Sequence, residues 1–311
     1  MENIIFSFQV VLPLLIYMAL GFLADHIIQE PGLSRILNKL VFTIIFPINI
    51  FLSTLKTDVD LGALSGLFLF VSSATLVLFL IFCLYYHHQD LPGDQKSVLI
   101  QASYRSNYPL LALPLGSALL TEGQVGQVTL LIPIVILLFN LLSILVLSYY
   151  SSEQPSLKGL IIEIVKNPLI LALLAGFACK FLGLYPPKLI EKPLSTVGTM
   201  ASPLALVGLG ASFSFTESRA YISQLSQAVF FRLLLAPGLA LLFAALVGFR
   251  GVGMVSLLAV FASPVAISSY PMAEAMHQDG NLAGQILVYT TLFSTLSLFL
   301  IIFILRSFLL V

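Results

Sequence analysis

Residues 103–116 read SYRSNYPLLALPLG and residues 262–274 read ASPVAISSYPMAE. Each stretch lies inside a long apolar run and carries two prolines, Pro109 and Pro114 in the first and Pro264 and Pro271 in the second. A proline lacks the backbone N–H, and its ring clashes with the preceding turn, so two in one membrane segment kink or break the helix. Backbone groups freed inside a bilayer are tolerated only where protein buries them or where they line an aqueous cavity. Unwound segments with opposed helix ends then make a ready site for an ion or a carboxylate. A simple proline kink is the plainer reading of the same residues.

The rest of the chain provides the membrane setting. Of 311 residues, 59% are hydrophobic and 9% charged, with a mean hydropathy of +1.05. A soluble domain has roughly 25% charged residues, enough to cover its surface. Lys plus Arg and Asp plus Glu number 14 each, so the balanced charge offers no footprint for nucleic acid. A bilayer-spanning helix needs about 20 mainly apolar residues. Runs of that kind occur at 5–24, 37–55, 61–86, 97–119, 127–149, 160–183, 193–213, 225–247, 252–276 and 283–308, separated by short polar breaks. The expected class is an all-α integral membrane protein of about ten transmembrane helices, the first retained rather than cleaved. Loops on the side opposite the N-terminus are flanked by Arg35, Lys39, Lys96, Lys158, Lys166 and Arg219, against Lys56, Lys180, Lys188, Lys192 and Arg250 on the N-terminal side. The first half of this count favours an N-terminus outside a cell membrane.

An internal repeat organises the spans. Pro13–Phe22 (PLLIYMALGF) matches Pro168–Phe177 (PLILALLAGF). In the same order, Pro47 matches Pro203 and Pro109 matches Pro264, and the Glu122-Gly123-Gln124 turn matches Asp279-Gly280-Asn281. The division is 1–150 for a first five-helix repeat, 151–159 for a connecting loop and 160–311 for a second repeat. Five is odd, so the second repeat enters from the opposite face. The result is an inverted pair, as in many secondary transporters whose substrate site lies between discontinuous helices near the midplane. Spans four and nine carry the expected breaks.

Ionisable groups at depth mark the candidate site, because a central charge costs at least about 2.5 kcal/mol on insertion scales. Arg105 stands two residues before Asn107 in span four, and the planar guanidinium fork suits a carboxylate. An interfacial, snorkelling Arg105 is the competing reading. Glu274, just past Pro271, is the one acid nominated for proton coupling, again against an interfacial reading. Arg232 reads as an interfacial anchor, and Asn49, Gly208 and Gly210 as helix-packing positions. His87-His88 with Asp90 lacks helical zinc-site spacing and reads as a loop. Cys83 and Cys179 read as packing residues. No metal or cofactor is expected, and no HExxH, GxSxG, GxxxxGK[ST] or paired membrane aspartates suggest an enzyme.

The ordered strings NKLVFTIIFPINIF, YRSNYPLLALPLG, SPVAISSYPMAEAM with QDGNLAGQ, and TLFSTLSLFLI resemble the auxin efflux carrier family, which includes bacterial malate-permease-like proteins and plant PIN-type carriers. The resemblance covers essentially the whole chain. It implies two inverted five-helix repeats with helices four and nine broken and crossing beside the substrate. It also implies a scaffold of spans one, two, six and seven that supports a homodimer. Asn107 matches the family's asparagine near the crossover, Pro114 its span-four proline and Pro264 the proline opening the span-nine break. Where plant members have a second proline near that crossover, this chain has Ser269. The long hydrophilic loop of many plant carriers is absent, as in a short bacterial-type member of the inner membrane.

The expected function is secondary transport of a small organic anion, a malate-like mono- or dicarboxylate, by alternating access. Arg105, Asn107, Pro109, Pro114, Pro264, Ser268, Ser269 and Pro271 would form the substrate site. The coupling ion, proton or sodium, is open on the sequence. Apart from substrate, lipid and a second copy, no partner is expected. A sensor that binds a metabolite or lipid on the same fold without flux is the alternative.

Overall fold

A computed structural model describes residues 2–30, 32–56, 65–121, 124, 128, 131–151, 166, 168–212 and 219–311. The connecting loop and the first part of the repeated Glu122–Gln124 turn fall outside the described residues. The chain is helical throughout this portion, in the order α1 (Glu2–Ile28), α2 (Leu33–Leu40), the π-helical turn π1 (Val41–Ile45) and α3 (Phe46–Lys56). Next come α4 (Ser65–His87), α5 (Gly93–Tyr104), α6 (Tyr108–Leu119), α7 (Ile132–Tyr149) and α8 (Pro168–Phe181). The chain continues through α9 (Lys188–Thr199), α10 (Ala201–Ser212), α11 (Ile222–Phe230), the π-helical turn π2 (Phe231–Leu235) and α12 (Ala236–Val247). It ends with α13 (Gly251–Ala262), α14 (Ser269–Ala275) and α15 (Gly280–Ser307). Four described segments are long and apolar enough to cross a membrane: Gly66–His87, Lys188–Ala211, Ile222–Val247 and Gly280–Ser307.

Local chemistry sets the ends. Pro92 and Pro187 precede the first turns of α5 and α9, where a missing N–H does no harm. Gly248, at φ 100°, closes α12 in the left-handed conformation that a Cβ disfavours. The Asp279 carboxylate accepts the Leu282 amide at 2.8 Å and caps α15.

The two expected breaks are present, but three of the four prolines lie outside them. Span four parts at Arg105–Asn107, between α5 and α6, and span nine parts at Ser263–Ser268, between α13 and α14. Pro109 falls in the first turn of α6 and Pro271 in the first turn of α14, where neither removes an intrahelical bond. The expectation of unwound backbone near Pro114 is not met, because α6 runs helically through that position. One interior proline forfeits one hydrogen bond and bends a helix without ending it. Pro264, by contrast, lies in the extended stretch itself.

The breaks meet each other. Asn107 donates its amide to the Pro264 carbonyl at 2.8 Å, and Ser106 pairs with Val265 in an isolated antiparallel bridge. Ser106 Oγ also donates to the Val260 carbonyl, 154 positions along the chain. Around this crossing, α13 is buried from Met254 to Ala262.

A second packing unit is built on glycine. At Gly21 of α1 a Cβ would overlap the Val207 carbonyl of α10, and at Gly210 of α10 it would overlap the Met18 carbonyl of α1. On α8, a Cβ at Gly176 would stand 3.0 Å from the Phe51 carbonyl of α3, and at Gly198 of α9 it would stand 3.2 Å from Asn49 Cα. Small residues let these backbones touch, which is the main way apolar helices adhere when lipid is as apolar as they are. The packing role expected of Gly210 is what the structure shows.

Candidate functional site

The site forms around the end of α5. Tyr104, the last residue of that helix, is held edge-on by Phe79 and Phe139, with ring centroids 5.3 and 5.9 Å away, and its hydroxyl lies 2.8 Å from Ser143 Oγ. This anchors the next residue, Arg105, whose backbone turns extended at φ −83° and ψ 120°. The Arg105 side chain is 3% exposed. Its Nη2 donates to Asn140 Oδ1 at 2.8 Å and to Ser268 Oγ at 2.7 Å, and its Nη1 approaches Met272 Sδ at 3.0 Å. All three acceptors are neutral. Among the described residues no carboxylate pairs with this guanidinium, so its positive charge is positioned but not neutralised.

A cavity of about 300 Å³ opens beside Arg105. Its polar lining is Arg105, Ser106 and Asn107 from the first break, Ser268 from the second, Asn140 from α7 and Asn49 from α3. Its apolar lining is Pro109 of α6, Phe46 and Ile50 of α3, Ile132, Val135, Ile136 and Phe139 of α7, and Ala266 and Ile267. Asn107 precedes α6, and among the described residues its buried Nδ2 has no hydrogen-bond partner. Cavities of this size with an apolar lining and a few convergent polar groups suit small ligands.

Of the residues expected at the site, the structure brings Arg105, Asn107, Pro109 and Ser268 to one cavity. Pro264 supports them through its carbonyl. Ser269 is 2% exposed and its Oγ meets no partner, but among the described residues it does not line the cavity. Pro271 is buried in α14, and the Pro114 side chain lies outside the described portion. Glu274 sits at the far end of α14, its carboxylate resting over Gly280 at the start of α15, and not beside Arg105. A snorkelling Arg105 is overturned by the burial of its guanidinium.

Arg232 is not an interfacial anchor: it is 0% exposed, and its guanidinium reaches the carbonyls of Tyr104 at 2.7 Å and of Phe261. Asn140 joins the site without being expected there. Its signal was there, a lone amide within the apolar run IPIVILLFNLLSILVLSY. Asn49 does serve packing, donating to the Gly198 carbonyl at 2.9 Å, but it also faces the cavity.

Broken helices that cross beside a cationic cavity, in a chain of apolar helices, define a multi-pass membrane protein with a cavity among its helices. The chain matches the family described as membrane transport protein over residues 6–302. It belongs to that family, the auxin efflux carriers and PIN-type proteins, and is a membrane transporter rather than an enzyme. No curated protein matches it.

Proposed function

We propose that the protein is a secondary carrier of a small organic anion, a mono- or dicarboxylate, working by alternating access around the crossing. The observation that carries this reading is Arg105. A buried guanidinium without a counter-ion is unfavourable; Arg105 has none among the described residues, and its acceptors hold it in one geometry facing a cavity of ligand size. A carboxylate entering that cavity would supply the missing negative charge through a charge-assisted, fork-to-fork contact. Asn107 Nδ2, unpartnered among the described residues, would give a second donor, and the apolar lining residues would take the carbon skeleton. Transport is the role described for the family, and the sensor alternative gains no support from it.

The glycine contacts favour an inverted repeat. Gly21 and Gly176 hold the same place in the repeated strings Pro13–Phe22 and Pro168–Phe177. Gly21 meets the Val207 carbonyl and Gly176 the Phe51 carbonyl, and those carbonyls follow Pro203 and Pro47 by the same interval. Each half thus offers the other the same contact, as a two-fold axis in the membrane plane requires. In this reading α1, α2, α3, α8, α9 and α10 form the scaffold, across which two copies associate in the cell membrane with the N-terminus outside. Glu274 is the candidate for proton coupling, from a place outside the cavity.

The test is uptake of radiolabelled malate and related carboxylates into proteoliposomes, with and without imposed pH, sodium and voltage gradients. Saturable flux supports the carrier and identifies its coupling. Specific binding with no flux across the panel would overturn it.

A further inference from the structure

Arg232 takes no part in the cavity, and it reaches toward neither lipid nor water. From π2 its Nη1 donates to the carbonyls of Tyr104 and, at 3.5 Å, of Ser103, the last two residues of α5. Its Nη2 donates to the carbonyl of Phe261, next to last in α13. No carboxylate among the described residues pairs with it, and its Nε meets no acceptor. The negative partner of this charge is therefore main chain. A helix C-terminus carries about half a unit of negative charge on its unbonded carbonyls, so two ends meeting here present about one unit, the charge of a single guanidinium. A planar fork can serve two helices at once, which a compact ammonium cannot do.

We infer that Arg232 is a positioning residue: it clasps the C-terminal ends of α5 and α13 and so sets the spacing of the two breaks. Arg105 follows Tyr104 directly, and Ser268 stands at the far end of the extended stretch that leaves α13. Any slip between the two helix ends therefore moves the cavity's cation away from one of its acceptors. The consequence for transport rests on the carrier reading above; the clasp itself does not.

The test uses full-length protein with Cys83 and Cys179 replaced by Ser and a cysteine pair installed at the bridge, Ser106→Cys with Val265→Cys. Residues directly opposite in an antiparallel pair have Cα atoms about 5 Å apart, within disulfide reach. Disulfide formation under mild oxidant and melting temperature are measured in three backgrounds, Arg232 intact, Arg232→Lys and Arg232→Gln. With the clasp removed in Arg232→Gln, the disulfide rate is expected to fall about tenfold and the reduced protein to melt about 5 to 10 °C lower. Arg232→Lys, which keeps the charge but reaches one helix end, is expected to fall between. Closing the disulfide should restore most of the lost melting temperature, because a covalent link then does what the guanidinium did. An unchanged disulfide rate in Arg232→Gln, or a melting loss that the disulfide leaves in place, would make Arg232 a packing residue and overturn the inference. If reduced Arg232→Gln cannot be purified, recovery of the disulfide-linked form alone supports the clasp, and loss of both forms overturns it. No substrate enters these measurements, so their failure leaves the carrier reading standing, and absent flux in the intact protein leaves the clasp standing.

Discussion

Arg105 and Asn140 make a pair whose chemistry can be separated one atom at a time. Replacing Arg105 with Ala removes the cavity's only charge among the described residues and leaves Asn140 and Ser268 without their donor. A charge-assisted bond contributes about 1.5–3 kcal/mol, so carboxylate uptake at low concentration should fall roughly 10- to 100-fold. Normal transport by a folded Arg105→Ala protein would sink the anion-site assignment. Asn140→Asp is the sharper probe. It keeps the shape and the acceptor oxygen but sets a carboxylate against the guanidinium, so the site becomes neutral before any ligand arrives. Uptake by Asn140→Asp should therefore be weaker than by Asn140→Ala, although the aspartate preserves the hydrogen bond; the order of the two in a proteoliposome assay decides the point. At this scale Arg105 was legible, because a charge within an apolar run is rare enough to be noticed. Arg232 is equally visible in the sequence, but its role is not, because its partners are backbone carbonyls, which leave no mark in a sequence.

Among the helices, prolines and glycines are the informative residues, and position within the element decides what each one does. Pro109 stands in the first turn of α6, so Pro109→Ala should change stability by less than about 1 kcal/mol, as a shift of melting temperature would read. Gly21 and Gly176 stand where another backbone passes. Gly21→Ala must push α1 off α10, and Gly176→Ala must push α8 off α3, each at about 1–3 kcal/mol or more. Under the inverted repeat the two losses should resemble each other, and an unaffected Gly176→Ala protein would argue against the equivalence. The break positions could be read approximately from the paired prolines. That α6 continues through Pro114 could not, since a sequence shows the lost donor but not the neighbours that hold the rest of the turn in place. The glycine contacts were likewise only half legible: the repeated Gly-Phe pairs are visible, but the carbonyls they touch lie in the other half of the chain.

Across the whole molecule, the cavity has walls from two packing units, Asn49 and Ile50 from the glycine-seamed group and Val135 to Asn140 from the group around the crossing. Alternating access requires those units to move against each other. Joining them across the cavity, through Ile50→Cys and Ile136→Cys with a short bifunctional thiol reagent, should abolish flux while leaving carboxylate binding measurable. Continued flux in the linked protein would mean that the moving boundary lies elsewhere. That the chain is built of apolar, membrane-length helices was readable because bilayer thickness sets a length that such runs must reach. Which segments face one another was not, since lipid-facing and protein-facing surfaces are equally apolar and carry little periodic signal.

The bond from Ser106 to Val260 also bears on how the chain is made. Its partners are 154 residues apart, so when α1 to α7 have been made, the broken backbone at Arg105–Asn107 still lacks its mate. During synthesis of everything up to α13, that opening must be shielded by lipid headgroups, water or the insertion machinery. The polar backbone of the first break is thus closed only by residues made more than 150 positions later.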